Sequence, residues 1–145
     1  MKLNNAAWEL ATGVVYLPDP ERAVSLARKA VAAAPDQPLI LNTLGVALYR
    51  AGRHAQAIAT LEKSLEAGKG KSDAFDLFFL AMSRRQLGEI ARARADLDRA
   101  VRWRRDHPNL TQIGLSDELD AFQAEAWALL DGPPAELPAD VFAPE

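Results

Sequence analysis

The residues best suited to chemistry are the arginines in a predicted helix over 89–106 and at the end of the helix before it. Eight arginines lie between positions 84 and 105, with Trp103 among them. Guanidinium groups beside an aromatic ring can bind phosphates and stack a nucleobase. One hypothesis is therefore a nucleic-acid or anion-binding helix that uses these side chains: Arg84, Arg85, Arg92, Arg94, Arg99, Arg102, Arg104 and Arg105.

Acidic residues favour a different interpretation of this arginine-rich helix. The pairs Arg92–Asp96, Arg94–Asp98 and Asp98–Arg102 are four residues apart, the spacing of ion pairs on a solvated helix face. All 17 lysines and arginines lie before position 106. From that position on there is no lysine or arginine, and there are nine acidic residues: Asp106, Asp117, Glu118, Asp120, Glu125, Asp131, Glu136, Asp140 and Glu145. Such an acidic region can neutralise the arginines within one fold, so we do not expect nucleic acid to be the partner.

Other reactive residues do not assemble into a catalytic or metal-binding set. The two histidines, His54 and His107, are isolated, and the chain has no cysteine. No serine lies in a Gly-x-Ser-x-Gly turn, and the Gly68–Lys71 segment is too short for a phosphate-binding loop. We therefore predict a protein that is not an enzyme and uses no metal or cofactor.

The composition is that of one soluble helical domain. The 145 residues are 49% hydrophobic and 26% charged, with a net charge of -3. Alanine, leucine, arginine and glutamate are strong helix formers. The N-terminal residues lack a signal-peptide pattern, and no apolar stretch approaches the roughly 18–20 residues that cross a bilayer. We expect a cytoplasmic protein that does not enter a membrane.

An internal repeat is the strongest pattern in the sequence. Leu44-Gly45, Gly52 and Leu61 recur 36 positions later as Leu80-Ala81, Gly88 and Leu97. A shift of 34 positions backward places Leu10-Ala11 on Leu44-Gly45. Three units result, at about 4–37, 38–73 and 74–107, followed by a helix at about 116–130. Together they form a predicted domain over 1–130, and the proline-rich acidic segment 131–145 is predicted to be an extended or disordered tail.

Each unit has the pattern of a helical hairpin. In the second unit a helix over 38–51 ends at Gly52, which can adopt the left-handed conformation, and a second helix covers 54–67. Gly45 and Ala57 are small enough to let the two helices approach closely. Asp19-Pro20-Glu21 begins the second helix of the first unit as N-cap, first-turn proline and first-turn acid. A hairpin cannot cover its own apolar face, so the units must stack and the last helix must cap the stack.

These residues resemble tetratricopeptide repeats, and stretches such as 19–24 and 73–81 resemble repeat modules of large bacterial multidomain signalling proteins. The resemblance covers about residues 4–106. It implies an all-α, right-handed α–α superhelix of three hairpins plus a C-terminal capping helix, about seven helices in total. It also implies a protein–protein interaction scaffold, in which a concave groove binds a peptide or helix of a partner. We expect the protein to act as a monomer or weak homo-oligomer.

The resemblance also implies which side chains line the groove. Carried onto this sequence, the groove positions of the first helices predict a peptide-binding set of Trp8, Asn42, Val46, Tyr49, Phe75, Phe78, Met82 and Arg85, with Asn5, Thr12, Val15 and Leu39 at further positions of the same kind. Any one of these aromatic residues could instead pack against a neighbouring unit or the tail. The clamp that some relatives use to hold a terminal carboxylate is missing, since Thr43, Phe75 and Phe79 occupy its positions. A further hypothesis is that the tail segment 137–142 occupies a groove.

Overall fold

The computed structural model describes residues 2–12, 19–109 and 115–131. These residues form seven α-helices and no strand: α1 (Lys2–Thr12), α2 (Pro20–Ala33), α3 (Pro38–Arg50), α4 (His54–Gly68), α5 (Asp73–Gln86), α6 (Ile90–Asp106) and α7 (Leu115–Leu130). The all-helical prediction is confirmed, and the predicted helix ends lie within about two residues of the observed ones. The predicted tail beyond Asp131, with its segment 137–142, and the groove position Val15 lie outside the described residues.

Local sequence signals explain where the helices begin and end. The side chain of Asp19 accepts a hydrogen bond of 3.0 Å from the backbone N–H of Arg22, and Pro20 opens α2. Gly52 follows α3 with φ 79°, a conformation that favours glycine. Its N–H donates to Tyr49 O, and the next N–H, of Arg53, donates to Leu48 O. Gly88 ends α5 with the same pair of hydrogen bonds, so both predicted glycine stops are confirmed.

The helices pack as three consecutive hairpins, α1–α2, α3–α4 and α5–α6. The second helix of each hairpin also packs on the first helix of the next, and α1, α3 and α5 contact one another in that order. A small residue is buried at the same place in each second helix: Ala23, Ala57 and Ala93. The first helices α1, α3 and α5 therefore form one face of the stack, which we call the inner face.

Two groups of buried polar side chains connect neighbouring helices. The amide Nδ2 of Asn42 donates to Asp76 Oδ1 at 2.9 Å and to Phe75 O at 3.1 Å, which joins α3 to α5. In the last hairpin, buried Arg84 forms an ion pair with buried Asp96 and another with Glu62 of α4, at 3.0 Å. Burial raises the pKa of Asp96, although hydrogen bonding and attraction from Arg84 oppose that shift. Because a buried charge without its partner is costly, these contacts restrict how the hairpins can stack.

The last helix, α7, does more than cover the final hairpin. It packs on α5 and α6, as a capping helix would. Its apolar stripe, Leu119, Phe122 and Ala126, is buried. In addition, its side chains contact Trp8 of α1 and Arg50 of α3. The helix therefore reaches all three helices of the inner face.

Replacing Gly45 by alanine should destabilise the protein. A Cβ atom at this position would lie 2.5 Å from both Cγ and Cδ2 of Leu61, so α3 and α4 would have to separate or Leu61 would have to move. We expect a loss of about 1–3 kcal/mol in the free energy of unfolding, measured by urea denaturation. Gly68→Ala is the matched control, since its Cβ would meet only ordinary contacts at 3.6 Å and beyond. That variant should be as stable as the wild type or more so by about 0.5–1 kcal/mol. Equal stability of the two variants would contradict the close approach.

Stability should also depend on pH through Asp76. Burial raises the pKa of this carboxyl to about 7, against hydrogen bonds from Asn42 and Ser64 that lower it, while the charge of Asp73 raises it further. The folded protein then binds a proton more tightly than the unfolded chain, so stability falls as pH rises from about 4 to about 7. The expected loss is on the order of 2–4 kcal/mol, at about 1.4 kcal/mol for each unit of pKa difference.

Asp76→Asn should remove most of this loss and be more stable than the wild type at pH 8. Urea denaturation at pH 4 and pH 8 measures it. Asp73→Asn is the control and should keep most of the slope, because the charge of Asp73 is the smallest of the influences on the pKa of Asp76. A smaller slope should persist in Asp76→Asn, because burial also raises the pKa of Glu118 and of Asp96. An unchanged slope in Asp76→Asn would exclude Asp76 as its source.

Candidate functional site

A row of aromatic rings crosses the inner face. Trp8 of α1 contacts Phe122 of α7 with ring centroids 5.9 Å apart, and Phe122 contacts Phe79 of α5 at 4.8 Å. Phe79 in turn contacts Tyr49 of α3 at 5.7 Å. All three pairs are close to perpendicular, the edge-to-face geometry that aromatic rings favour. We call Trp8, Phe79 and Tyr49, together with Phe122, the aromatic row.

Arg50, in the last turn of α3, adds a positive charge to this row. Its guanidinium lies 5.7 Å from the centre of the Tyr49 ring and 5.4 Å from that of Phe79. Both terminal nitrogens bond the carboxylate of Glu125 on α7, one of them at 2.7 Å. Burial alone would lower the pKa of Arg50, but the hydrogen bond and charge of Glu125 outweigh it and raise that pKa. The inner face therefore holds a fixed cation over aromatic rings, and α7 supplies its anion.

An open cleft lies next to the aromatic row, where the N-terminal halves of α3 and α5 meet α1 and the start of α7. Its volume is about 280 Å³, below the roughly 300–1,000 Å³ of small-molecule sites. It is lined by Asn4, Asn5, Trp8, Pro38, Leu39, Asn42, Thr43, Ser72, Phe75 and Glu118. Depressions of about 500 and 590 Å³ elsewhere have no aromatic lining residue.

The polar groups of the cleft differ in whether their hydrogen bonds are already made within the protein. The Oδ1 atom of Asn4 is buried and has no hydrogen-bond partner among the described residues. The Asn42 amide already donates to α5, and the Thr43 hydroxyl donates to Leu39 O. Burial raises the pKa of Glu118, while a hydrogen bond with Trp8 lowers it. Glu118 is the one ionisable side chain among the lining residues, so the cleft favours a neutral or positively charged group.

The structure divides the predicted groove residues into four groups, of which the last is buried in the core. Trp8, Asn42 and Phe75 line the cleft, together with Asn5 and Leu39. Tyr49 belongs to the aromatic row and is 9% exposed. Arg85 is half-buried on α5 and lies outside the cleft lining.

The prediction that Val46, Phe78 and Met82 line the groove is wrong. Each has 0% exposed surface, so they do not line an open groove in this structure. The reason is that neighbours surround the helices that carry them. Helix α3 contacts α1, α2, α4 and α5, and α5 contacts α3, α4, α6 and α7. The middle turns of both helices are therefore core.

The predicted groove did not include Arg50 or Phe79, nor the α7 residues that contact them, Phe122 and Glu125. A helical pattern could not decide which of Phe78 and Phe79 points to the inner face. The acidic C-terminal region was the available signal, because it required basic partners earlier in the chain. Glu125 pairs with Arg50, which lies outside the arginine-rich helix.

Half of the arginines in the arginine-rich helix form intramolecular ion pairs. Arg104 pairs with Asp120 of α7 at 2.7 Å, and Arg94 pairs with Asp131. None of the three predicted pairs along the helix is found as an ion pair among the described residues. Arg92 binds Glu89 instead, and Asp96 binds Arg84. Within this helix, the exposed arginines without an ion pair to a described residue are Arg99, Arg102 and Arg105.

Trp103 is not placed to stack a base. It is buried, its indole N–H donates to Gly70 O at 2.8 Å, and the His107 ring lies parallel to it with centroids 4.0 Å apart. Within the described ranges, no cluster of His, Asp or Glu could hold a metal ion. None of the helices described is both long enough and apolar enough to span a bilayer.

Comparison with known protein families agrees with the hairpin architecture. Residues 9–72 match one family model described as a tetratricopeptide repeat, and residues 77–107 match a second model with the same description. No curated protein matches the chain. The two matches span most of the three hairpins, and repeats of this kind generally mediate protein–protein interactions. The chain belongs to the tetratricopeptide repeat family.

Proposed function

We propose that this protein is an interaction scaffold that binds a peptide segment of a partner protein on its inner face. The observation that carries the proposal is the cleft beside the aromatic row, which three successive first helices and α7 build together. Three residues predicted as groove residues, Trp8, Asn42 and Phe75, line it. A concave site with an apolar lining and a few polar groups is the usual form of a recognition site.

The lining groups define the peptide that fits best. An apolar or aromatic side chain would pack between Trp8 and Phe75, as anchor residues of interfaces do. A backbone or side-chain N–H of the peptide would satisfy the unpaired Oδ1 of Asn4, whose burial otherwise has a cost. A lysine or arginine nearby would be attracted by Glu118. The preferred segment therefore has an apolar anchor next to a basic residue.

The same residues support binding without catalysis. The hydroxyl of Thr43 is engaged with Leu39 O, and Glu118 is hydrogen-bonded to Trp8. Among the residues that line the cleft, no histidine or free carboxylate accompanies Ser72 as a base. We therefore infer a scaffold with no chemical step of its own.

Peptide display against the full chain tests this proposal. Peptides selected on the wild type should carry the apolar anchor and basic residue, and Phe75→Ala should weaken their binding at least tenfold in a fluorescence polarisation titration. Leu87→Ala is the matched control, since Leu87 is exposed outside the cleft and its loss should leave affinity unchanged. Circular dichroism of both variants checks the fold.

Equal affinity for the wild type and Phe75→Ala would rule out the cleft as the binding site. Affinity that collapses between 50 and 500 mM salt, with single-stranded nucleic acid as a competitor, would point instead to the exposed arginines of α6.

A further inference from the structure

Helix α7 contacts the inner face in the manner of a bound ligand. Two of its side chains, about one helical turn apart, contact α1, α3 and α5 between them, in addition to the hydrogen bond of Glu118 with Trp8. Phe122 inserts between Trp8 and Phe79, and Glu125 forms the bidentate pair with Arg50. This part of the inner face therefore binds an aromatic side chain together with a carboxylate.

The receiving residues form a defined socket. We use the name α7 socket for Trp8, Tyr49, Arg50 and Phe79. Arg50 is about a quarter exposed, and its guanidinium lies over two rings. Without Glu125 this cation would remain beside an apolar surface with no carboxylate, and Phe79 and Trp8 would lose their shared ring contact. Any occupant of the socket must therefore bring both an anion and an apolar ring.

The ion pairs that join α7 to α6 are of a weak kind that another helix could replace. These ion pairs are at least partly exposed: Asp120 is 64% exposed although its partner Arg104 is 20% exposed, and Arg94 and Asp131 are each 43% exposed. Exposed pairs of this type contribute little and are screened by salt. The outward face of α7 leaves Trp127 45% exposed. The main hold on this helix is therefore the socket contacts and the short buried stripe, with two further hydrogen bonds, Glu118–Trp8 and Arg104–Gln123.

We propose that the α7 socket recognises an acidic amphipathic helix of a partner protein, carrying an aromatic residue and, three positions later, a glutamate, and that α7 is the intramolecular helix which this partner displaces. The inference rests on the proposed function in so far as both assign binding to the inner face. The socket and the cleft are adjacent but respond to different variants. A partner helix that pairs with Arg50 replaces contacts that the chain already makes, so the exchange requires only that it bind better than α7.

A labelled synthetic peptide of residues 115–131 is the probe, and the full chain is the receptor. The wild type should bind the peptide weakly, because its own α7 fills the socket. Phe122→Ala combined with Glu125→Gln in the chain should raise the affinity at least tenfold, since the socket itself is unchanged and its occupant is weakened. Adding Arg50→Glu to that variant should abolish the gain, and a peptide with Glu125→Arg should restore binding to the Arg50→Glu protein.

The matched control is Phe75→Ala in the weakened-α7 background, which alters the cleft and should leave binding of the 115–131 peptide unchanged. Conversely, Arg50→Glu combined with Glu125→Arg, which reverses the ion pair and keeps α7 in place, should leave binding of cleft-selected peptides unchanged, so either proposal can fail alone. No gain in affinity on weakening α7, or a gain that Arg50→Glu does not remove, would overturn the socket proposal. Dimers of the weakened-α7 chain that exclude the peptide would overturn it in favour of exchange between two copies.

Spin labelling keeps the test valid if the weakened variant loses its fold. The chain has no cysteine, so cysteines introduced at exposed Ala59 and Ala124 carry the labels at known places. Saturating 115–131 peptide should add a second, longer distance between α4 and α7 in the otherwise wild-type chain. A single distance that does not change at saturation would show that α7 is not displaced and would overturn the proposal.

Discussion

A helical hairpin covers only one of its apolar faces, and the arrangement of this chain depends on how each remaining face is covered. The second hairpin covers the first and the third covers the second, so α3 and α5 are buried on nearly every side. The aromatic row on the inner face has no further hairpin to cover it. Helix α7 takes that place with Phe122, and Glu125 balances the charge of Arg50 in the same contact.

Polar contacts inside the stack complement this apolar packing. Small residues such as Gly45 and Ala57 allow close approach but are compatible with more than one alignment of the helices. The Asn42–Asp76 hydrogen bond and the Arg84–Asp96 pair have stricter geometry and burial, so we infer that they select one alignment. Burial disfavours the charged form of Asp76, which is why its pKa lies near neutrality.

The inner face offers opposite charges at two adjacent places, with Trp8 between them. On one side its indole is hydrogen-bonded to Glu118 at the cleft, and on the other its ring meets Phe122 at the α7 socket. We propose a basic segment as the ligand of the cleft and an acidic helix as the ligand of the socket, through Arg50. A helix that displaces α7 also removes Glu118 from the cleft, so the two proposed modes of binding exclude each other.

The sequence by itself determined the helices, their ends and their grouping into repeats. Gly52, Gly88 and Asp19 act on the backbone within a few residues, and the 34- and 36-residue spacings reveal equivalent units without any knowledge of contacts. Family resemblance added the cleft residues Trp8 and Phe75.

Only the tertiary structure decided that Val46, Phe78 and Met82 are core, that Phe79 faces α7, and that Arg50 meets Glu125, 75 residues away along the chain. Helical periodicity states which residues share a face but not what covers that face. A charge pattern likewise shows that partners are needed but not which ones, because that choice depends on where α7 crosses the folded stack.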